Sequence, residues 1–119
     1  LKLDLFIVWY ENQPIDKGMI IGLREFYPKV RIKGDMASIV DFNYCIHLSP
    51  TTLEYQNKVI PHTISVIGED LIKEVKKFSS DVNVNVGPAF RFMDLYIESD
   101  SKLACNNKKI LIVLPLSPF

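Results

Sequence analysis

The amino-acid sequence predicts an α/β fold, in which a mostly parallel sheet carries helices on its faces. Three observations predict this class of fold. Short apolar or alternating runs recur along the chain, amphipathic segments of helical period lie between some of them, and turn residues separate the segments. A strand, helix, strand order of this kind implies right-handed crossovers between parallel strands.

The first elements of the chain are a strand and a helix. Leu3 to Tyr10 is an almost unbroken apolar run, typical of a strand buried on both faces of a parallel sheet. Ile15 to Tyr27 then follows a helical period, and Pro28 ends the predicted helix. The residues that define the period are Ile15, Met19, Gly22, Leu23 and Phe26.

Two further strands are predicted before the middle of the chain. Val30 to Lys33 alternates apolar and charged residues, and Gly34-Asp35 after it has the composition of a turn. Asp41 to Leu48 alternates loosely until Ser49-Pro50 interrupts it.

The second half of the sequence predicts a strand, a helix and two more strands. Thr63 to Ile67 is rich in β-branched residues, and Glu69 to Phe78 is amphipathic, with acids at its start and lysines towards its end. Val82 to Val86 alternates strictly, and Ile110 to Leu114 is as apolar as a central strand.

The last predicted strand has consequences for domain organisation. Only Pro115 to Phe119 follow Ile110 to Leu114, so no helix of this chain can cover that strand from its C-terminal side. We therefore expect a fragment of a longer protein. In this interpretation residues 1–97 are the later part of one domain, residues 98–109 are a linker, and residues 110–119 open a following domain.

Composition limits the partners and the compartment. Fourteen basic and fourteen acidic residues give a formal net charge of zero, which disfavours nucleic acid as a partner. Every apolar run is much shorter than the roughly 20 residues that a membrane span needs. The two cysteines, Cys45 and Cys105, are too few for a disulfide framework, so we expect a cytoplasmic protein.

The turn after the first predicted strand is one candidate site, because ligands of α/β sheets bind beyond the carboxyl ends of the strands. Glu11 can act as a general base, and Asn12, Gln13 and Lys17 can bind substrate. The alternative is purely structural: the amides end the strand and Pro14 begins the helix. These residues alone favour the structural alternative.

A second candidate turn follows Val86. Gly87 and Pro88 permit a close approach of the backbone, and Arg91 suits a phosphate or a carboxylate. The alternative for Arg91 is an ion pair with Asp94.

Other sequence features favour structural roles or exclude common chemistries. Glu69 and Asp70 at a helix start would repel a diphosphate, so we interpret one of them as a helix cap. The two histidines, His47 and His62, have no metal-ligand spacing around them. Dinucleotide, P-loop and serine-hydrolase motifs are absent from the sequence, and we expect no metal and no cofactor.

Three stretches together resemble one family of proteins. They are WYENQPIDKGMIIGLREFYP (Trp9 to Pro28), IPHTISVIGEDLIKEV (Ile60 to Val75) and VNVGPAFRFMDLY (Val84 to Tyr96). These stretches resemble bacterial surface-carbohydrate (polysaccharide) biosynthesis proteins, which are similar to GT-B-type glycosyltransferases with two facing Rossmann-like domains.

The resemblance implies a function for the chain. It implies metal-independent transfer of a sugar from a nucleotide-sugar donor to a glycan or lipid-linked acceptor, at the inner face of the membrane or in the cytoplasm. The chain would be the later part of the acceptor-side domain, with Glu11 as the first candidate for the base. Two alternatives stay open: a non-catalytic assembly module that forms a homodimer through its last strand, and a sugar-nucleotide epimerase of similar shape.

Overall fold

The structure is a computed structural model that describes residues 3–37 and 48–90 of the 119-residue chain. Within these two ranges four strands alternate with three helices. The elements are β1 (Leu5–Trp9), α1 (Pro14–Phe26), β2 (Arg31–Met36), α2 (Thr52–Gln56), β3 (Thr63–Val66), α3 (Asp70–Val75) and β4 (Val84–Val86).

The four strands form one parallel sheet in the order β1-β2-β3-β4. This confirms the predicted α/β class with a Rossmann-like parallel sheet. Each strand is added on the same side of the one before it, so the order does not reverse among the described strands. The register aligns Trp9, Asp35, Ser65 and Asn85 in one line across the sheet.

One face of the sheet carries the hydrophobic core. Right-handed crossovers between strands added in one direction place the connecting helices on a single face. Burial agrees with this arrangement, because Ile32 and Ile64, which lie on the same face of the sheet, are almost fully buried. Tyr10, directly after β1, and Ile20 of α1 are fully buried as well. The complete core cluster is Tyr10, Ile20, Val30, Ile32, Met36, Leu48, Ile60, Ile64, Val66, Val75 and Val82.

The face of β1 opposite the core is exposed, so the prediction that this strand is buried on both faces is wrong. Leu5, Ile7 and Trp9 are 45%, 57% and 48% exposed, while the alternate positions Phe6 and Val8 pack against the core. The register partners of the exposed residues on β2 are Arg31, Lys33 and Asp35, all charged. The apolar run therefore serves one buried face only.

The predicted turn at Gly34-Asp35 is also wrong, because β2 runs through both residues to Met36. Glycine is required there by a neighbour rather than by a turn. A Cβ at position 34 would lie 2.8 Å from Cγ of Pro61 and 2.9 Å from Cβ of Tyr10. Asp35 carries the strand pairing onward, since its carbonyl accepts the N–H of Tyr10 at 3.0 Å.

The helices differ from the predictions in their bounds and faces. α1 has the predicted position, but Ile15 and Phe26 are 77% and 75% exposed, and the fully buried residue is Ile20. α3 ends at Val75, and Glu69 occupies its N-cap position without a side-chain hydrogen bond. α2 was not predicted.

Several predictions lie outside the described residues. They include the strand at Asp41 to Leu48, of which only Leu48 is described, and the strand at Ile110 to Leu114. The side chains of His47 and Arg91 also lie outside the described residues. Among the residues that the structure does describe, no helix combines the length and the apolar character needed to cross a membrane.

Candidate functional site

A groove of about 670 Å³ opens at the carboxyl end of β1. It lies between the turn after this strand, the first turn of α1 and the start of α2. Three of the residues predicted to bind substrate line it. The described lining residues are Asn12, Gln13, Pro14, Lys17, Ser49, Thr51, Glu54 and Phe78.

A buried tyrosine, Tyr10, supports the turn that follows β1. The hydroxyl of Tyr10 donates a 2.7 Å hydrogen bond to Oδ1 of Asn12, and both residues are buried. Burial raises the pKa of Tyr10, and the negative charges of Glu54 and Asp16 raise it further, so the phenol stays a neutral donor. Asn12 has a φ of 56°, a left-handed conformation that asparagine tolerates better than most residues.

Asp16 holds the backbone of the same turn. Its Oδ2 accepts the backbone N–H groups of Glu11 and Gln13, each at 3.0 Å. Asp16 lies in the first turn of α1, where a carboxylate also complements the helix dipole, and Pro14 begins the helix. Local sequence therefore fixes the path of residues 11–13 on which the groove depends.

A charged pair joins two walls of the groove. Nζ of Lys17 in α1 donates to Oε1 of Glu54 in α2, and the two side chains are 26% and 21% exposed. The other oxygen of Glu54 accepts the backbone N–H of Thr51 at 2.8 Å. Burial alone would raise the pKa of Glu54, but the hydrogen bonds from Lys17 and Thr51 outweigh it and lower that pKa. The pair is therefore ionised and formally neutral.

Glu11, the predicted base, is not one of the described residues that line the groove. Its Oε1 accepts from Nε1 of Trp9 and its Oε2 accepts from Nε2 of Gln13, each at 3.0 Å. Trp9 lies on the face of the sheet opposite the core, so this carboxylate lies on that side of the turn. Gln13 touches both environments, because it lines the groove and also contacts Glu11.

Gly87 directly follows β4, which is at the edge of the described sheet opposite β1. Its N–H donates to the carbonyl of Val66 at 2.8 Å, and a Cβ at this position would lie 2.6 Å from Cβ of Ser65. The close approach expected of this glycine is therefore made to Ser65. β4 is three strand spacings from β1, or roughly 14 Å, so the structure does not bring Gly87 and Pro88 together with Glu11.

Four residues of the groove were missed from the sequence: Ser49, Thr51, Glu54 and Phe78. Thr51 and Glu54 form a capping box, in which the hydroxyl of Thr51 accepts from the N–H of Glu54 at 3.3 Å. The signal was present as the spacing Thr51-x-x-Glu54, a known helix-start pattern. Ser49 and Phe78 carried no signal, because tertiary contacts bring them to the groove.

The groove offers hydrogen-bonding groups around one exposed aromatic ring. Amide, hydroxyl and ionised groups of Gln13, Thr51 and Lys17 can bind hydroxyl groups, and Phe78 is 44% exposed. Its size is within the usual range for small-molecule sites. Within residues 3–37 and 48–90, no group of three or more His, Cys, Asp or Glu side chains is placed to hold a metal ion.

The fold and groove define a class, namely an α/β domain with an all-parallel sheet and a polar groove at the carboxyl end of one strand. Comparison of the chain with protein-family models, with curated proteins and with solved structures finds no significant match.

Proposed function

We propose that this chain is the acceptor-side domain of a nucleotide-sugar-dependent glycosyltransferase of bacterial surface-polysaccharide biosynthesis. The observation that carries the proposal is the groove at the carboxyl end of β1, which three residues of the family-like motif line: Asn12, Gln13 and Lys17. Ligands of parallel α/β sheets bind at this end of the strands.

The charge of the groove favours a sugar over a phosphate. Lys17 is paired with Glu54, so these two side chains present no net charge to a ligand. A diphosphate binds best to uncompensated positive charge or to bidentate arginine, whereas a neutral polyol needs paired donors and acceptors. Phe78 adds a ring face against which the C–H groups of a sugar can pack.

Within this proposal Glu11 is the general base. Gln13 lines the groove and donates to Glu11, so it marks the place where the sugar acceptor can reach the carboxylate. The hydrogen bonds from Trp9 and Gln13 orient the carboxylate at the sheet edge. An acceptor hydroxyl that takes the place of the Gln13 amide would lie within hydrogen-bonding distance of Oε2 of Glu11, as a general base requires. The donor-binding residues are expected in a following domain.

Sugar transfer is tested in the longest natural chain that contains this sequence. Release of nucleoside diphosphate from a nucleotide sugar is followed with and without an oligosaccharide acceptor. We expect Glu11→Gln to lower kcat about 100-fold or more, whereas Glu25→Gln, on the exposed part of α1, leaves it unchanged. Equal rates for Glu11→Gln and the unmodified enzyme would exclude Glu11 as the base.

A second candidate function is a non-catalytic assembly module. Within the described residues β1 is an edge strand, and its Leu5, Ile7 and Trp9 side chains are exposed. Such an edge can pair with a second copy of the chain. Sedimentation velocity over rising concentration tests this: self-association that Ile7→Lys abolishes supports assembly, and a monomer at every concentration excludes it.

A further inference from the structure

A second groove, of about 440 Å³, lies between the end of α1, the end of α2 and the segment that leads into β3. His62 directly precedes β3, so this groove is at the amino end of that strand and far from the turn after β1. Its described lining residues are Arg24, Tyr55, Gln56, Lys58, Ile60, Pro61 and His62.

The charges of this groove are of one sign. Arg24 and Lys58 are cations, His62 can become one, and none of the described lining residues is acidic. Among the described residues neither Arg24 nor Lys58 forms an ion pair with a carboxylate. This contrasts with the first groove, in which Glu54 neutralises Lys17.

Arg24 and His62 are in contact, but not every donor of this pair has an acceptor. Nη2 of Arg24 donates to the carbonyl of Ile60 at 3.0 Å, Nη1 lies 3.0 Å from Nε2 of His62, and the buried Nε has no hydrogen-bond partner. The other ring nitrogen of His62 accepts the N–H of Ile32 at 2.9 Å. Both neighbours of the ring are donors, but a neutral imidazole accepts at only one nitrogen.

An oxyanion at this position would resolve the mismatch. Its oxygens would accept from the guanidinium of Arg24 and from the Nε2–H of His62, leaving Nδ1 to accept from Ile32. Lys58 adds a positive charge to the groove. Its φ of 56° is a left-handed conformation that costs energy for lysine, and it determines the position from which the side chain extends. Arginine, lysine and histidine around a concave site are the usual partners of phosphate.

We propose that the groove at the amino end of β3 binds the phosphate group of a soluble small molecule, through Arg24, Lys58 and His62. This site is independent of the groove at the carboxyl end of β1, and it is not needed for the proposed transfer reaction.

Inorganic phosphate is the probe, added to the 119-residue chain against sodium chloride of equal ionic strength. Amide and His62 ring resonances are followed by NMR. We expect saturable shifts at His62 and Lys58, and Lys58→Asn should weaken the apparent Kd about tenfold. Asparagine suits the left-handed backbone at position 58, so this variant removes the charge with little strain. The control is Lys77→Asn, an exposed turn residue that does not line the groove.

Three outcomes would overturn the proposal. The first is the absence of phosphate-specific shifts at His62, which would leave Arg24 and Lys58 as complements to the carbonyls at the two helix ends. The second is equal weakening by Lys77→Asn, which would indicate screening of general surface charge. The third is Lys58-dependent co-sedimentation with phosphatidic-acid vesicles in the absence of any response to free phosphate.

Discussion

The Tyr10 hydroxyl donates to Oδ1 of Asn12 at 2.7 Å and thereby links the core of the sheet to the left-handed residue at the edge of the groove beside β1. Tyr10 is fully buried over Gly34, and Asn12 lines the groove. The shape of the candidate site therefore depends on how one aromatic ring packs in the core.

Removal of the Tyr10 hydroxyl should destabilise the protein. Tyr10→Phe keeps the ring but removes a buried hydrogen bond, so we expect the free energy of unfolding to fall by about 1–2 kcal/mol. Urea denaturation measures it. Tyr27→Phe is the control, since Tyr27 is 36% exposed, and a loss of the same size in both variants would mean that the Tyr10 bond contributes nothing specific.

The backbone at position 12 allows conformational strain to be separated from the lost side chain. Asn12→Gly and Asn12→Ala both remove the amide, but only glycine adopts a φ of 56° without strain. We expect Asn12→Ala to be less stable than Asn12→Gly by about 1 kcal/mol, measured by urea denaturation. Equal stabilities would show that the turn relaxes to another conformation.

Glycine at position 34 is needed for the approach of Tyr10. Gly34→Ala places a Cβ 2.8 Å from Pro61 and 2.9 Å from Tyr10, so we expect a loss of about 1–3 kcal/mol in the free energy of unfolding. The matched control is Gly18→Ala in α1, where a Cβ meets nothing within 4 Å. That change should stabilise the helix by about 0.5–1 kcal/mol. Opposite signs for the two alanines are the expected result, and a neutral Gly34→Ala contradicts the packing described.

Stability should fall as the pH drops below 6.5 because of His62. Burial lowers the pKa of His62 from its usual 6.5, and the Arg24 guanidinium beside the ring lowers it further. The unfolded chain then binds more protons than the folded protein below pH 6.5, so the unfolding free energy decreases there. Among the described residues, Arg24 of α1 contacts this ring, and Lys58 lines the same groove.

Urea denaturation between about pH 5.5 and 7.5 measures this effect, because carboxylates titrate mainly below that range. His62→Gln provides the baseline and retains any contribution from His47. A pH dependence that is identical in the two proteins would show that His62 is not perturbed by folding.

The sequence was sufficient for the elements with local signals. The period of α1, the β-branched run of β3 and the alternation around β4 each gave the correct element, and together they gave the parallel α/β class. The prediction of a turn at Gly34-Asp35 was wrong because this pair has the composition of a turn. The requirement for glycine instead comes from Tyr10, 24 positions away in the sequence. Long-range packing of this kind leaves no local signal.

The candidate site was predicted in part for the same reason. Asn12, Gln13 and Lys17 follow a strand directly, so position in the chain was enough to place them at a ligand edge. Glu11 shares that edge, but the alternation of side chains directs it to the Trp9 side. Glu54 faces Lys17 only because α2 packs beside α1, a contact that spans 37 positions.

The central claim is that the groove at the carboxyl end of β1 binds a sugar. Its most direct test is a ¹H–¹⁵N NMR titration of the 119-residue chain with neutral hexose and N-acetylhexosamine oligosaccharides. We predict saturable shifts at the amides of Asn12, Gln13, Lys17 and Thr51, with an apparent Kd that Gln13→Ala weakens about tenfold and Gln56→Ala leaves unchanged. The absence of shifts at these four amides across the panel, or shifts that Gln13→Ala does not alter, would contradict the claim.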